Sequence, residues 1–200
     1  HQASYLFNYR YSTFGLIKPV LPEEANIPNY QDLSFKINMP TSRAGIFSLW
    51  GLGADNKIKF EADMDTSLWK YAEDREVGNA NQQSGAAGLN HRYLFGGNTY
   101  LNTSLAMTGD YTHFKEDMMD LDLKRYQTDY IDNLNYKFTF TSALNHKFSA
   151  RHTNRTGFVV NNYHYENVLK FAPVPGDSLL TATDEEGASN LYQWFSQSKV

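Results

Sequence analysis

Asp32–Met39 reads DLSFKINM, and its period of two decides the fold class. In an extended chain successive side chains point to opposite faces, so Leu33, Phe35, Ile37 and Met39 share one face and Asp32, Ser34, Lys36 and Asn38 the other. The same design recurs on both sides of this stretch. Leu134, Tyr136, Phe138, Phe140 and Leu144 alternate with Asn135, Lys137, Thr139, Thr141 and Asn145; Leu101, Thr103, Leu105 and Met107 alternate with Tyr100, Asn102, Ser104, Ala106 and Thr108. Near the start, Tyr5, Phe7, Tyr9 and Tyr11 oppose Asn8, Arg10 and Ser12.

Weaker strand patterns cover residues 46–60, 83–95 and 153–169, and a last strand begins near Asn190, so the expectation is eight strands and the start of a ninth. Helical periodicity is confined to short turns expected at Glu23–Asn26 and around Met118–Lys124. Short polar links fall at residues 40–45 (PTSRAG), 96–98 (GGN) and 147–152 (KFSARH), and long links at 18–31, 61–82, 112–129 and 171–189. Alternating short and long hairpins describe an antiparallel up-and-down meander with two unlike ends, the asymmetry of an outer-membrane barrel with tight inner turns and long outer loops. The all-β chain is therefore expected to form part of a large transmembrane β-barrel.

Composition agrees with strands. Hydrophobic residues make up 41% of the chain and aromatic residues 15%, with 14 Tyr and 13 Phe, so aromatic rings carry much of the apolar load, as on pleated surfaces and in the girdles of membrane barrels. Net charge is -4 and the basic residues are scattered, which argues against a nucleic-acid footprint. Without Cys there is neither a disulfide framework nor a thiolate site. No run of about 18 apolar residues exists for a transmembrane helix, whereas a barrel strand needs only about 9 to 11 residues. The opening HQASYLF lacks the pattern of a signal peptide, which is expected to be cleaved or outside this stretch.

NYRYSTFGLI (8–17), NYQDLSFKINMPTSRAGIFSLWGLG (29–53) and LNHKFSARHTNRTGFVV (144–160) resemble the barrel domain of TonB-dependent receptors, particularly those of Bacteroidetes, over about Tyr5 to Val168. The resemblance implies an outer-membrane location, a barrel of about 22 strands around an N-terminal plug, and uptake of a nutrient energised by the TonB complex through that plug. It also implies outer-membrane lipid and a surface lipoprotein of the SusD type as partners. Eight or nine strands cannot close such a barrel and no plug is visible, so residues 1–200 are expected to be a partial barrel domain. The competing reading is a soluble secreted or periplasmic β-barrel or β-sandwich that binds a ligand.

Catalytic, cofactor and metal sites are not expected: the chain has no GxSxG, HExxH or glycine-rich phosphate loop. His91, His113, His146, His152 and His164 read as polar packing, since none pairs at metal-ligand spacing, and His1 is terminal. Glu116, Asp117, Asp120 and Asp122 lack the order and central Gly of a calcium loop and read as a solvated loop, as do Asp184, Glu185 and Glu186. Asn102-Thr103-Ser104 and Asn154-Arg155-Thr156 match a glycosylation pattern by chance. Trp69 and Tyr71, in the 61–82 link, are the ligand-contact candidates, because exposed rings can stack on a sugar or an apolar ligand.

Overall fold

The computed structural model describes residues 2–12 and 28–200. They form one eight-stranded antiparallel sheet whose spatial order is the chain order. The strands are β1 (Ser4–Tyr11), β2 (Asn29–Pro40), β3 (Ile46–Phe60), β4 (Glu76–Leu94), β5 (Thr99–Met119), β6 (Arg125–Lys147), β7 (Thr153–Phe171) and β8 (Leu180–Lys199). The meander expected from the links is the fold. Its two edges, β1 and β8, remain apart among the described residues, so the sheet is open.

Directly opposed residues share a face, so the register converts the period of two into two surfaces. Tyr5, Ile37, Leu49, Leu89, Leu105, Phe140, Val160 and Tyr192 are successive partners, and this row is apolar or aromatic across all eight strands. One residue along, Ser4, Asn38, Ser48, Asn90, Ser104 and Thr141 make a polar row on the opposite face. Its amides and hydroxyls bond laterally: Asn38 Nδ2 donates to Ser4 Oγ at 3.2 Å, Ser48 Oγ to Asn38 Oδ1 at 2.7 Å, and Ser104 Oγ to Asn90 Oδ1 at 2.7 Å. Rings of one strand also cover glycines of the next. Phe35 lies across Gly51 and Trp50 across Gly88, so close that a Cβ on either glycine would fall 2.6 or 2.7 Å from the ring.

Among the described residues no second layer covers either face. Among the described residues the buried hydrophobics are Ala62, Val77, Met119 and Ala143, and large rings such as Phe7 and Trp194 stand exposed. The chain exposes 13825 Å², against about 9,600 Å² for a compact monomer of its mass. Soluble domains bury a sheet face against another element; no described element lies over the apolar face of this sheet.

The links depart from expectation in length. Residues 41–45, 95–98 and 148–152 are short turns as read. The 61–82 link shrinks to 61–75, because β4 begins at Glu76, and carries two short 3-10 helices, Thr66–Leu68 and Ala72–Arg75. The 171–189 link shrinks to 172–179 and the strand expected from Asn190 starts at Leu180, so the described strands number eight without a ninth. The largest correction falls on 112–129, where only residues 120–124 turn. The helical turn expected around Met118–Lys124 is a strand end and this turn. Asp120 closes it by accepting the backbone N–H groups of Asp122 and Lys124, both at 2.9 Å, while Leu123 takes φ 60, the left-handed conformation usually left to glycine. The Glu23–Asn26 turn and most of the 18–31 link lie outside the described residues.

Candidate functional site

The sheet has a turn end, with three short turns, and a loop end, with residues 61–75, 120–124 and 172–179. On the apolar face the apolar rows give way toward the loop end to Asp55, Lys57 and Lys59 on β3, to Gln83, Asn81 and Asn79 on β4, and to His113 and Lys115 on β5. The Lys57 Nζ–Asp55 Oδ2 ion pair at 3.1 Å and the His113 Nδ1–Asp132 Oδ2 hydrogen bond at 3.0 Å lie here.

Loop 61–75 divides the two candidate rings. Trp69 is half-buried against Ala62, Val77 and Met119, and its indole N–H donates to the Asp63 carbonyl at 2.7 Å, so it anchors the loop to the ends of β4 and β5. Tyr71 is 71% exposed and available to a ligand. Asp65 Oδ1 accepts from Ser67 Oγ at 2.6 Å and from its backbone N–H at 3.0 Å. Asp74 Oδ2 accepts the backbone N–H groups of Lys70 at 2.6 Å and Tyr71 at 2.8 Å. Those donors favour the charged carboxylate and hold Asp74 below its ordinary value of 3.8.

A pH dependence with a defined sign follows. A depressed folded-state pKa makes loop order complete above 3.8 and lost as pH falls through the lowered value. Hydrogen exchange at the Lys70 and Tyr71 amides should therefore accelerate relative to strand amides in acid, and Asp74→Ala should give the same acceleration at neutral pH. Equal protection in Asp74→Ala at neutral pH would remove the carboxylate from the loop's support.

The acidic residues read as loops lie elsewhere. Glu116 and Asp117 are in β5, with Asp120 and Asp122 in the turn, and Asp184, Glu185 and Glu186 are in β8. Glu116 is opposed to Asp129, and Gly78 to Glu116, which puts Glu116, Asp129 and the nearby Glu76 on the polar face at its loop end, beyond the apolar band. Burial, reinforced by Glu76 and Asp129, pushes the Glu116 carboxyl up; burial with Glu73 and Asp129 does the same to Glu76.

The histidines are dispersed and form local contacts. His91 stacks on Phe47 at 4.3 Å and meets the Ala44 carbonyl at 2.6 Å, His146 bonds Thr99 Oγ1 at 2.7 Å, and His152 stacks on Phe148 in the β6–β7 turn at 4.9 Å. His164 stacks on Tyr136 at 4.7 Å and bonds Asn162. Among the described residues no three His, Asp or Glu side chains are grouped to hold a metal.

A feature the sequence reading missed is a polar hollow of about 420 Å³ at the turn end of the polar face, lined by Lys36, Asn38, Ser48, Asn90, Arg92 and Asn102 among others. Arg92 donates from Nε to Asn102 Oδ1 at 3.0 Å and its guanidinium lies 5.3 Å from the Tyr100 ring centroid, so the group is fixed in place. Alternation marks these residues as sharing a face, but only register brings residues from four strands together.

No family model matches the chain, and no curated protein and no solved structure matches it either. No helix among the described residues is long and apolar enough to cross a membrane, which leaves strands that cross one untouched.

Proposed function

We propose that the chain is part of the wall of a transmembrane β-barrel in the bacterial outer membrane, built as in TonB-dependent receptors and serving uptake of a nutrient ligand. The observation that carries this reading is the apolar band on one face of a single sheet that no other described element covers. On β6 it runs from Leu134 to Leu144 with Tyr136, Phe138 and Phe140 between them, broken once by Ser142, whose hydroxyl lies 3.3 Å from that of its partner Thr103. Ten steps of about 3.4 Å, tilted about 40° from the barrel axis, rise roughly 26 Å. Outer-membrane barrels carry an apolar band about 25 Å tall.

Lipid supplies no hydrogen-bond partners, so a spanning sheet must pair its backbone in ladders and turn its polar side chains inward. The Asn38–Ser48 and Ser104–Asn90 bonds suit a wet lumen or a plug. The strands also continue far beyond a bilayer. β6 has 23 residues where about 9 to 11 suffice, so its loop-end half would stand outside the membrane with charged residues such as Asp132 on the face that turns apolar below.

In this reading the open edges β1 and β8 pair with further strands of a larger barrel. Residues 1–200 expressed alone should therefore aggregate in plain buffer and become monodisperse only with detergent, since two unpaired edges and an apolar face are both exposed. The soluble alternative requires a monodisperse protein without detergent, and that single outcome would overturn the proposal.

Loop 61–75, fifteen residues where a hairpin needs about two to five, is longer than chain reversal demands. Replacing it by a tight turn in the intact receptor should reduce growth on the limiting ligand while surface levels persist. Unchanged growth would place ligand capture, or contact with a surface lipoprotein, in other parts of the receptor. The companion link at 120–124 offers no such length to remove.

A further inference from the structure

Toward the loop end the two faces exchange character. Ile58, Ala80, Phe114, Ile131 and Leu169 are successive register partners on the face that is polar lower down, and they form an apolar row across five strands. Phe60, in the next row, stacks with Phe114 at 6.2 Å between centroids. At the same level the opposite face shows Lys57, Asn81, His113 and Asp132. In the barrel reading, on which this inference rests, that charged face meets water outside, and the apolar row lines the inner wall above the membrane.

The next row toward the loops puts like charges together. Glu116 opposes Asp129 directly, an arrangement that costs stability unless a positive group answers it, and Glu76 adds a third carboxylate. None of the three has an ion-pair partner among the described residues, where the ion pairs are Arg10–Asp32, Lys57–Asp55 and Lys115–Asp117. Thr128 Oγ1, at the residue the register skips between Glu116 and Asp117, reaches Glu116 Oε1 at 3.3 Å as its one side-chain donor among the described residues. A second register shift, between Leu169 and Lys170, falls at the same level. Bulges re-aim side chains and concentrate beside functional sites.

We propose that this part of the inner wall binds an amphiphilic organic cation, its apolar body on the Phe114–Ile131 row and its protonated amine or guanidinium between Glu76, Glu116 and Asp129. Charge complementarity selects this occupant: a neutral ligand would leave the carboxylates unanswered and an anionic one would add to their repulsion. A free amine and the lysine side chain of a peptide offer the same chemistry.

The test is calorimetric titration of the intact protein in nanodiscs, corrected for empty discs, with 4-phenylbutylamine, its neutral alcohol and its carboxylate counterpart. N-acetyl-Phe-Lys-amide serves to tell a free amine from a peptide source. The amine or the peptide should bind about tenfold or more tighter than the carboxylate, the scale of one charge-assisted hydrogen bond. Glu116→Gln with Asp129→Asn should cut that preference at least about threefold, Glu76 keeping the remainder, and leave binding of the alcohol unchanged, whereas Phe114→Ser should weaken every probe. Should the double variant not assemble, the unmodified protein suffices: the preference should collapse at about 1 M salt, where the screening length is about 3 Å. A carboxylate bound as tightly as the amine, a preference undiminished by the double substitution, or no binding of any probe, as when a folded-in loop or partner domain covers the row, overturns the inference. A protein that is monodisperse without detergent instead refutes the barrel reading beneath it.

Discussion

Phe138→Arg in the intact protein should destabilise it by about 2–4 kcal/mol, the cost of a cationic side chain facing lipid near the bilayer midplane. Phe138 sits mid-band on β6, opposite Met107, with the Leu105–Phe140 row on one side and the Gly109–Tyr136 row on the other. Its neighbour Thr139 faces the other way and donates from Oγ1 to Asn161 Oδ1 at 2.8 Å. Thr139→Arg gives up that bond, worth about 1 kcal/mol net, and places its guanidinium on a polar surface. The measurement is the urea midpoint of the folded, heat-modifiable species on gels. Equal shifts for the two substitutions would mean that the apolar face does not meet lipid.

Gly45→Val should be comparably damaging for an unrelated reason. Gly45 ends the β2–β3 turn at φ +84, where a β-branched residue is strained by about 1–3 kcal/mol, and a Cβ there would fall 2.2 Å from the Arg92 carbonyl oxygen. That oxygen belongs to the β4 backbone, so it cannot rotate away as a side chain would. The β3–β4 ladder would have to open at its turn end. Gly97→Val, in the β4–β5 turn, is the matched control, because a Cβ at Gly97 meets nothing within 4 Å. Its midpoint should move by about 0.5 kcal/mol or less, and similar losses for both would point to a general intolerance of valine in turns rather than to the Arg92 contact.

The loop end shows where reading the chain stops working. Lys115–Asp122 is charged enough to read as a solvated loop, yet its first five residues continue β5, paired with β4 as far as Met118 and with β6 across a one-residue bulge after Glu116. A strand that leaves the apolar band no longer needs one apolar face, and the period-two signal fades while the backbone ladder persists. Trp69 and Tyr71 stood out as a pair because both are aromatic in one link. Packing separates them, since Trp69 finds Ala62, Val77 and Met119 to lie against and Tyr71 does not.

Alternation and turn residues were enough to mark an all-β chain, to put Leu33, Phe35, Ile37 and Met39 on one face, and to place turns near PTSRAG, GGN and KFSARH. Side-chain alternation and turn chemistry are local, fixed within a few residues by backbone geometry. Which residues become neighbours across strands emerges in the folded sheet alone: Ile37 with Leu49, Arg92 with Asn102, and Glu116 with Asp129. Those pairings depend on register. Slipping one strand by two residues would keep every side chain on its face while changing each lateral partner, so face is legible in the chain and neighbourhood is set by the closing geometry of each hairpin.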